Sequence, residues 1–131
     1  MSKFDIGAIQ LDPKREPPRI QIDFGYTLAG GYRMHLWDPD NATPIGSGVN
    51  TDQLPDIHPV GKAAAALDGH EIGVELRISV IPGTNYSPSG PYSATIRVWQ
   101  GSAEATGSPI ELTGKLKQGV AGRLGYIKLS V

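Results

Sequence analysis

The strongest constraint on the fold is an apolar residue at every second position over several long stretches of the chain. From Arg19 to Leu28 the apolar side chains are Ile20, Ile22, Phe24, Tyr26 and Leu28. From Glu71 to Ile81 the same period of two runs from Ile72 to Val80. Successive side chains of a β-strand point to opposite faces of the sheet, so this period indicates strands with one buried and one exposed face.

Shorter stretches repeat the pattern and complete a set of about seven or eight predicted strands. They are Phe4–Leu11, with a change of parity near Ala8 and Ile9 that indicates a β-bulge, then Tyr32–Trp37, an edge strand at Ile45–Val49, Tyr92–Trp99, Ile110–Lys117 and Leu124–Val131. Turn residues between consecutive stretches predict three hairpins, through Gly30-Gly31, through the loop from Pro82 to Pro91, and through Gly119 to Gly122.

The composition supports an all-β chain. Gly 17 and Pro 11 in 131 residues are typical of many short elements joined by tight turns, and the length suits one domain over residues 1–131. We therefore predict a two-sheet antiparallel β-sandwich, immunoglobulin-like or jelly-roll-like. Pro59 to Leu67 contains four alanines and predicts one short helix, with an alanine-lined strand as the alternative.

Charge and cysteine content exclude several classes of function. Lys and Arg number 12 against 13 Asp and Glu, so the net charge of −1 gives no reason to expect nucleic acid or an anionic membrane as a partner. Without cysteine there is no thiolate nucleophile and no cysteine-based metal site. No window approaches the roughly 18 apolar residues of a membrane span, and Asp5 lies where a signal peptide would be apolar, so we expect a cytoplasmic protein, with export by another route open.

No motif in the chain predicts an enzyme, a metal or a cofactor. The chain has neither a Gly-x-Ser-x-Gly elbow nor a phosphate-binding glycine loop. His35, His58 and His70 lie in different elements, without the spacing that brings two imidazoles to one metal ion. The segment Asp38–Asn41 is rich in oxygen ligands, but it lacks the glycine and distal glutamate of a calcium loop, so we interpret it as a turn, with calcium binding as the alternative.

The most informative residues for function are the two tryptophans. If Tyr32, Met34 and Leu36 face the core, their neighbours on the strand face outward, and the same holds for the strand that ends at Trp99. An exposed indole suits stacking on a sugar ring, while arginine, histidine and threonine hydrogen-bond its hydroxyls. The alternative is that each tryptophan folds back over the sandwich edge into the core. The predicted ligand-binding residues are Arg33, His35, Trp37, Thr95, Arg97 and Trp99.

These residues favour a non-enzymatic binding module, lectin-like in presenting aromatic and polar side chains to a carbohydrate. The first alternative is a structural or assembly protein that binds copies of itself or a larger complex through the same faces, because tryptophan and arginine are enriched at interface hot spots. The second alternative is a small hydrolase without a recognisable motif, built from Asp23, Asp38, His35 and Glu75.

Overall fold

A computed structural model describes residues 5–26, 28–38, 41–50 and 55–131 and contains ten strands and a single 3-10 turn. The strands are β1 (Asp5–Gln10), β2 (Arg19–Phe24), β3 (Leu28–Trp37), β4 (Ala42–Asn50), β5 (Asp56–Pro59), β6 (Glu71–Val80), β7 (Pro91–Gln100), β8 (Ala103–Glu104), β9 (Ile110–Lys115) and β10 (Val120–Ser130). The predicted all-β class is confirmed.

The strands form two sheets that pack together as a β-sandwich. Sheet A has the order β1-β10-β6-β3-β4, and sheet B has the order β5-β2-β7, with β8 and β9 pairing with different parts of β7. The pairs are antiparallel except for β1, which lies parallel to β10. The expected edge strand at Ile45–Val49 is confirmed as part of β4, and the β1 bulge lies between Asp5 and Gly7, slightly before its predicted place.

The core fills the space between the sheets, and the alternation in the sequence identifies its members. Buried side chains occupy every second position of β3, from Leu28 to Leu36, and of β7, from Tyr92 to Val98. Burial of these apolar surfaces drives the packing of the two sheets. Trp37 and Trp99 occupy the positions that alternate with these buried residues, so both point outward, as predicted.

The predicted helix at 59–67 is reduced to a 3-10 turn over Ala64–Ala66. This single turn already buries Ala64 and Leu67, and Gly69 then turns the chain with φ 81° into β6. Short helices in proteins are stabilised mainly by the packing of an apolar face. Ala63, Ala65 and Ala66 are exposed here, so a longer helix at this place has little apolar surface to bury. The described residues include no helix with the length and apolar character needed to cross a membrane.

The three predicted hairpins are wrong, because in each case the two strands lie in different sheets. Gly30 and Gly31 lie inside β3, and the chain passes from sheet B to sheet A near Tyr26, which has a left-handed φ of 58°. Likewise β6 and β10 belong to sheet A, whereas β7 and β9 belong to sheet B. Alternation identifies the buried face of each strand, but strands of both sheets bury that face against the same core.

Candidate functional site

The outer surface of sheet A carries the first group of predicted ligand-binding residues. Arg33, His35 and Trp37 point outward from β3. Cross-strand pairing places Glu75 opposite Arg33 and Gly73 opposite His35 on the neighbouring strand β6. We call this outward surface of β3 and β6, including Arg77, the Trp37 face.

Trp37 packs over a glycine of the neighbouring strand β6. A Cβ atom at Gly73 would lie 2.9 Å from the indole Nε1 of Trp37 and 3.3 Å from the ring of Tyr126, so both rings pack over the bare backbone. The residue is still 38% exposed, and its indole N–H has no acceptor among the described residues. The indole therefore has a fixed position with both apolar surface and a donor available to a ligand.

Three charged side chains of the Trp37 face are also available. Arg33, Glu75 and Arg77 are exposed, and none of them forms an ion pair or side-chain hydrogen bond within the part of the chain that the structure describes. His35 is half-buried and likewise lacks a described partner. The alternation in β6 indicated that Glu75 and Arg77 are exposed, but only sheet order shows that they lie beside Arg33.

The second predicted group lies on the outer surface of sheet B, and the polar groups of Arg97 and Trp99 are already occupied. The Nη1 atom of Arg97 lies 2.9 Å from Glu104 Oε1, and Ser108 donates to the other carboxylate oxygen of Glu104 at 2.6 Å. The indole N–H of Trp99 donates to Gln21 Oε1 at 3.0 Å. These contacts tie β2, β7 and β8 together, so this surface has fewer free donors for a ligand than the Trp37 face.

The fold thus separates the six predicted residues into two sets. Arg33, His35 and Trp37 lie together along β3, whereas the other set lies along β7 and consists of Thr95, Arg97 and Trp99. The outer surfaces of two packed sheets face in opposite directions, so one small ligand cannot contact both sets.

A polar cluster that the sequence did not predict lies between the sheets at the β4–β5 edge. Tyr32 from β3 is 4% exposed, and its hydroxyl lies 2.7 Å from Asp56 Oδ2 and 2.6 Å from His58 Nε2. The two rings have room because β4 carries glycines here, where a Cβ at Gly46 would lie 2.5 Å from the imidazole and one at Gly48 would lie 3.0 Å from the phenol oxygen. Glycines alternating along an edge strand are the sequence signal for this close approach.

The Tyr32 hydroxyl can make both of these hydrogen bonds at once. A hydroxyl has one proton, so when Tyr32 donates to the Asp56 carboxylate, its oxygen accepts the Nε2–H of His58. Burial, followed by the contact with Asp56, raises the pKa of Tyr32 above its ordinary value of 10.0. Tyr32 therefore keeps its proton and acts as a donor that joins the edges of the two sheets.

The residues of the hydrolase alternative are not gathered into one site. Asp23 lies on sheet B, where it accepts a hydrogen bond from Gln21 at 2.9 Å, while His35 and Glu75 lie on the Trp37 face. Asp38 follows β3, and its Oδ1 accepts the backbone N–H of Asn41 at 3.0 Å, as in an Asx turn. Positions 39 and 40 of the calcium alternative lie outside the described residues.

The described residues contain no group of three or more histidine or acidic side chains placed to hold a metal ion. A depression of about 470 Å³ at one end of the sandwich is lined by Asp12, Arg15 and Gln100. The buried Gln100 amide accepts from the Asp12 N–H and donates to the Asp12 and Glu16 carbonyls, so it fastens the β1–β2 loop. Comparison with known proteins found no family model, no curated protein and no solved structure that matches the chain.

Proposed function

We propose that the protein is a non-enzymatic binding module that holds a carbohydrate on the Trp37 face. One observation carries the proposal: Trp37 is fixed over Gly73, is partly exposed, and keeps an indole N–H without a described partner. Beside it on the same strand lie Arg33 and His35, whose polar groups are also free within the described residues.

The physical reason lies in the surface that a sugar ring presents. One side of the ring is lined by C–H groups that pack against an aromatic face, and the rim carries hydroxyls that need donors and acceptors. A rigid indole loses little side-chain entropy when a ligand stacks on it. Further along β3, Arg33 supplies donors and Glu75 across the strand pair supplies an acceptor for the hydroxyls of another ring of the same carbohydrate.

A glycan array with matched variants tests the proposal. We expect Trp37→Ala to abolish binding to the glycans that the wild-type protein captures, because the stacking surface is lost. The control is Thr95→Ala on the outer surface of sheet B, which should bind as the wild type does. Thermal denaturation of both variants verifies that they fold.

Three results would contradict the proposal. The first is that the wild-type protein captures no glycan, and the second is that Trp37→Ala and Thr95→Ala bind equally well. The third is loss of binding in Thr95→Ala alone, which would indicate a ligand site on sheet B.

Self-assembly through the outer surface of sheet A is a second candidate, supported by the distribution of exposed apolar side chains. Four of the seven exposed large hydrophobics among the described residues lie on the outer surface of sheet A, namely Trp37, Val49, Val120 and Leu124. A partner that covered this surface would bury their apolar side chains, as in the core of a protein interface. Light scattering over a range of concentrations distinguishes this candidate, because only an assembly protein gains mass and only then should Val49→Ser and Leu124→Ser lower it.

A further inference from the structure

Two glycines on the outer surface of sheet A lie where the neighbouring atoms leave room for a side chain. At every other strand glycine a Cβ would meet a side-chain atom at 3.0 Å or less, namely at Gly7, Gly30, Gly46, Gly48, Gly73, Gly114 and Gly125. At Gly31 and Gly122 the nearest atoms are carbonyl oxygens at 3.9 Å, and neither has a positive φ. Glycine weakens a strand, so a glycine that no neighbour requires points to an outside group approaching the backbone.

These two glycines lie in one row across the sheet with Arg77 between them. Gly31 and Gly122 are each the cross-strand partner of Arg77, and Val49, which is 71% exposed, lies opposite Gly31 at the far end. We call this row the glycine trough. It contains a depression of about 560 Å³ over Gly31 and another of about 320 Å³ over Gly122, with Arg77 lining both.

The larger depression is bordered by two arginines. Arg33 and Arg77 both line it, and neither has a charged partner among the described residues. Glu75 also lines it, which leaves two positive charges against one negative charge. A guanidinium group presents parallel N–H donors that match a carboxylate, so this charge distribution favours a ligand with a carboxylate.

We propose that the glycine trough binds the acidic residue of an oligosaccharide, with its carboxylate between Arg33 and Arg77 and its ring over Gly31. This inference rests on the proposed function, since it assigns a second sugar position on the same face. Arg33 and Trp37 are four residues apart on one strand, or about 13 Å. One sugar ring cannot span that distance, so the ligand is an oligosaccharide with one residue on Trp37 and a uronic acid residue in the trough.

The test compares the charged and uncharged forms of the same oligosaccharides. Titration calorimetry would use oligosaccharides of galacturonic, glucuronic and mannuronic acid, each as the free acid and as its methyl ester. We expect at least one free acid to bind about tenfold or more tightly than its ester. The preference should shrink as salt is raised, because exposed charges are screened.

Two variants, each with a matched control, locate the effect. Arg77→Met keeps the aliphatic stem and should reduce binding of the free acid to that of the ester, whereas Arg15→Met, which removes the same charge from the β1–β2 loop, should not. Gly31→Val fills the trough and should weaken binding of the acidic ligand at least tenfold, while Ala29→Val, outward on the same strand but outside the depression, is its control. Thermal denaturation verifies that each variant folds.

The outcomes separate this inference from the proposed function. Equal binding of acids and esters, or binding of neutral glycans alone, would overturn the acidic site and leave carbohydrate binding on Trp37 intact. If no glycan binds at all, both fail. A change of molecular mass in Gly31→Val, without any saccharide, would show that the trough is a contact between copies of the chain.

Discussion

At the level of single residues, the two tryptophans differ in what their indole N–H groups do. Trp99 donates to Gln21 and so links β7 to β2, whereas Trp37 rests on Gly73 and keeps its N–H free of described partners. Both tryptophans point outward from their strands. Trp99 makes a hydrogen bond within sheet B, whereas Trp37 has a surface that is available to a ligand.

This difference predicts unequal stability costs. Trp37→Ala removes a ring that is 38% exposed and should lower the free energy of unfolding by less than the roughly 3–5 kcal/mol typical of a core tryptophan. Trp99→Ala also loses the hydrogen bond to Gln21 and should cost more. Urea denaturation of both variants measures the costs, and a larger loss for Trp37→Ala would contradict the assignment.

Tyr32 predicts a dependence of stability on alkaline pH. Above its ordinary pKa of 10.0 an unfolded tyrosine loses its proton, whereas Tyr32 in the native protein keeps it, because burial and Asp56 raise its pKa. The native state then binds more protons than the unfolded state, so its stability falls as the pH rises above about 10. The contribution is fully present below that pH.

Tyr32→Phe should therefore show a shallower alkaline decline, by up to about 1.4 kcal/mol per pH unit. At neutral pH the same variant should lose about 1–2 kcal/mol, because Asp56 and His58 no longer share a partner. Denaturant titrations at several pH values from about 7 to about 11 measure both effects. The control is Tyr26→Phe, which removes an exposed hydroxyl, and identical pH profiles for both variants would disprove the role of the buried cluster.

At the level of elements, β3 shows how one strand serves two surfaces. The Cα atom of Gly30 faces the core, where Phe24 packs over it, and the Cα atom of Gly31 faces outward into the glycine trough. Adjacent glycines in one strand thus have different reasons to lack a side chain.

Gly30→Ala and Gly31→Ala form a matched pair with opposite expected signs. A Cβ at position 30 would lie 2.1 Å from Phe24 Cζ, so the variant should lose about 1–3 kcal/mol through overpacking. Position 31 has room, and alanine there should raise the free energy of unfolding by about 0.5–1 kcal/mol. Chemical denaturation checks both values, and destabilisation by Gly31→Ala would mean that its backbone requires glycine for another reason.

At the scale of the whole molecule, the stability should not depend on bound metal. Within the described residues no acidic or histidine cluster could hold an ion, and Asp38 already uses a carboxylate oxygen to cap its turn. We expect EDTA to leave the melting temperature unchanged, since removing a ligand lowers stability only if that ligand binds the native state. A fall of several degrees that calcium reverses would establish the calcium alternative at Asp38–Asn41.

The alternation of apolar residues is enough to predict the class of fold and the buried and exposed faces of the long strands. A period of two is a local property, and it fixes which side chains of β3, β6 and β7 are buried wherever those strands are placed. The sequence also identified Arg33, His35 and Trp37 as outward residues of one strand.

Which strands are neighbours depends on how the two sheets pack, and no local pattern in the sequence shows it. Strands of both sheets bury an apolar face against one shared core, so alternation cannot distinguish a hairpin from a crossing between sheets, and the Gly30-Gly31 turn was misplaced for that reason. Sheet order separates Trp37 from Trp99 and brings Arg77 beside Arg33. It also gathers Tyr32, Asp56 and His58 from two different strands into one cluster, because a contact between distant residues depends on the packing of whole sheets and has no local pattern.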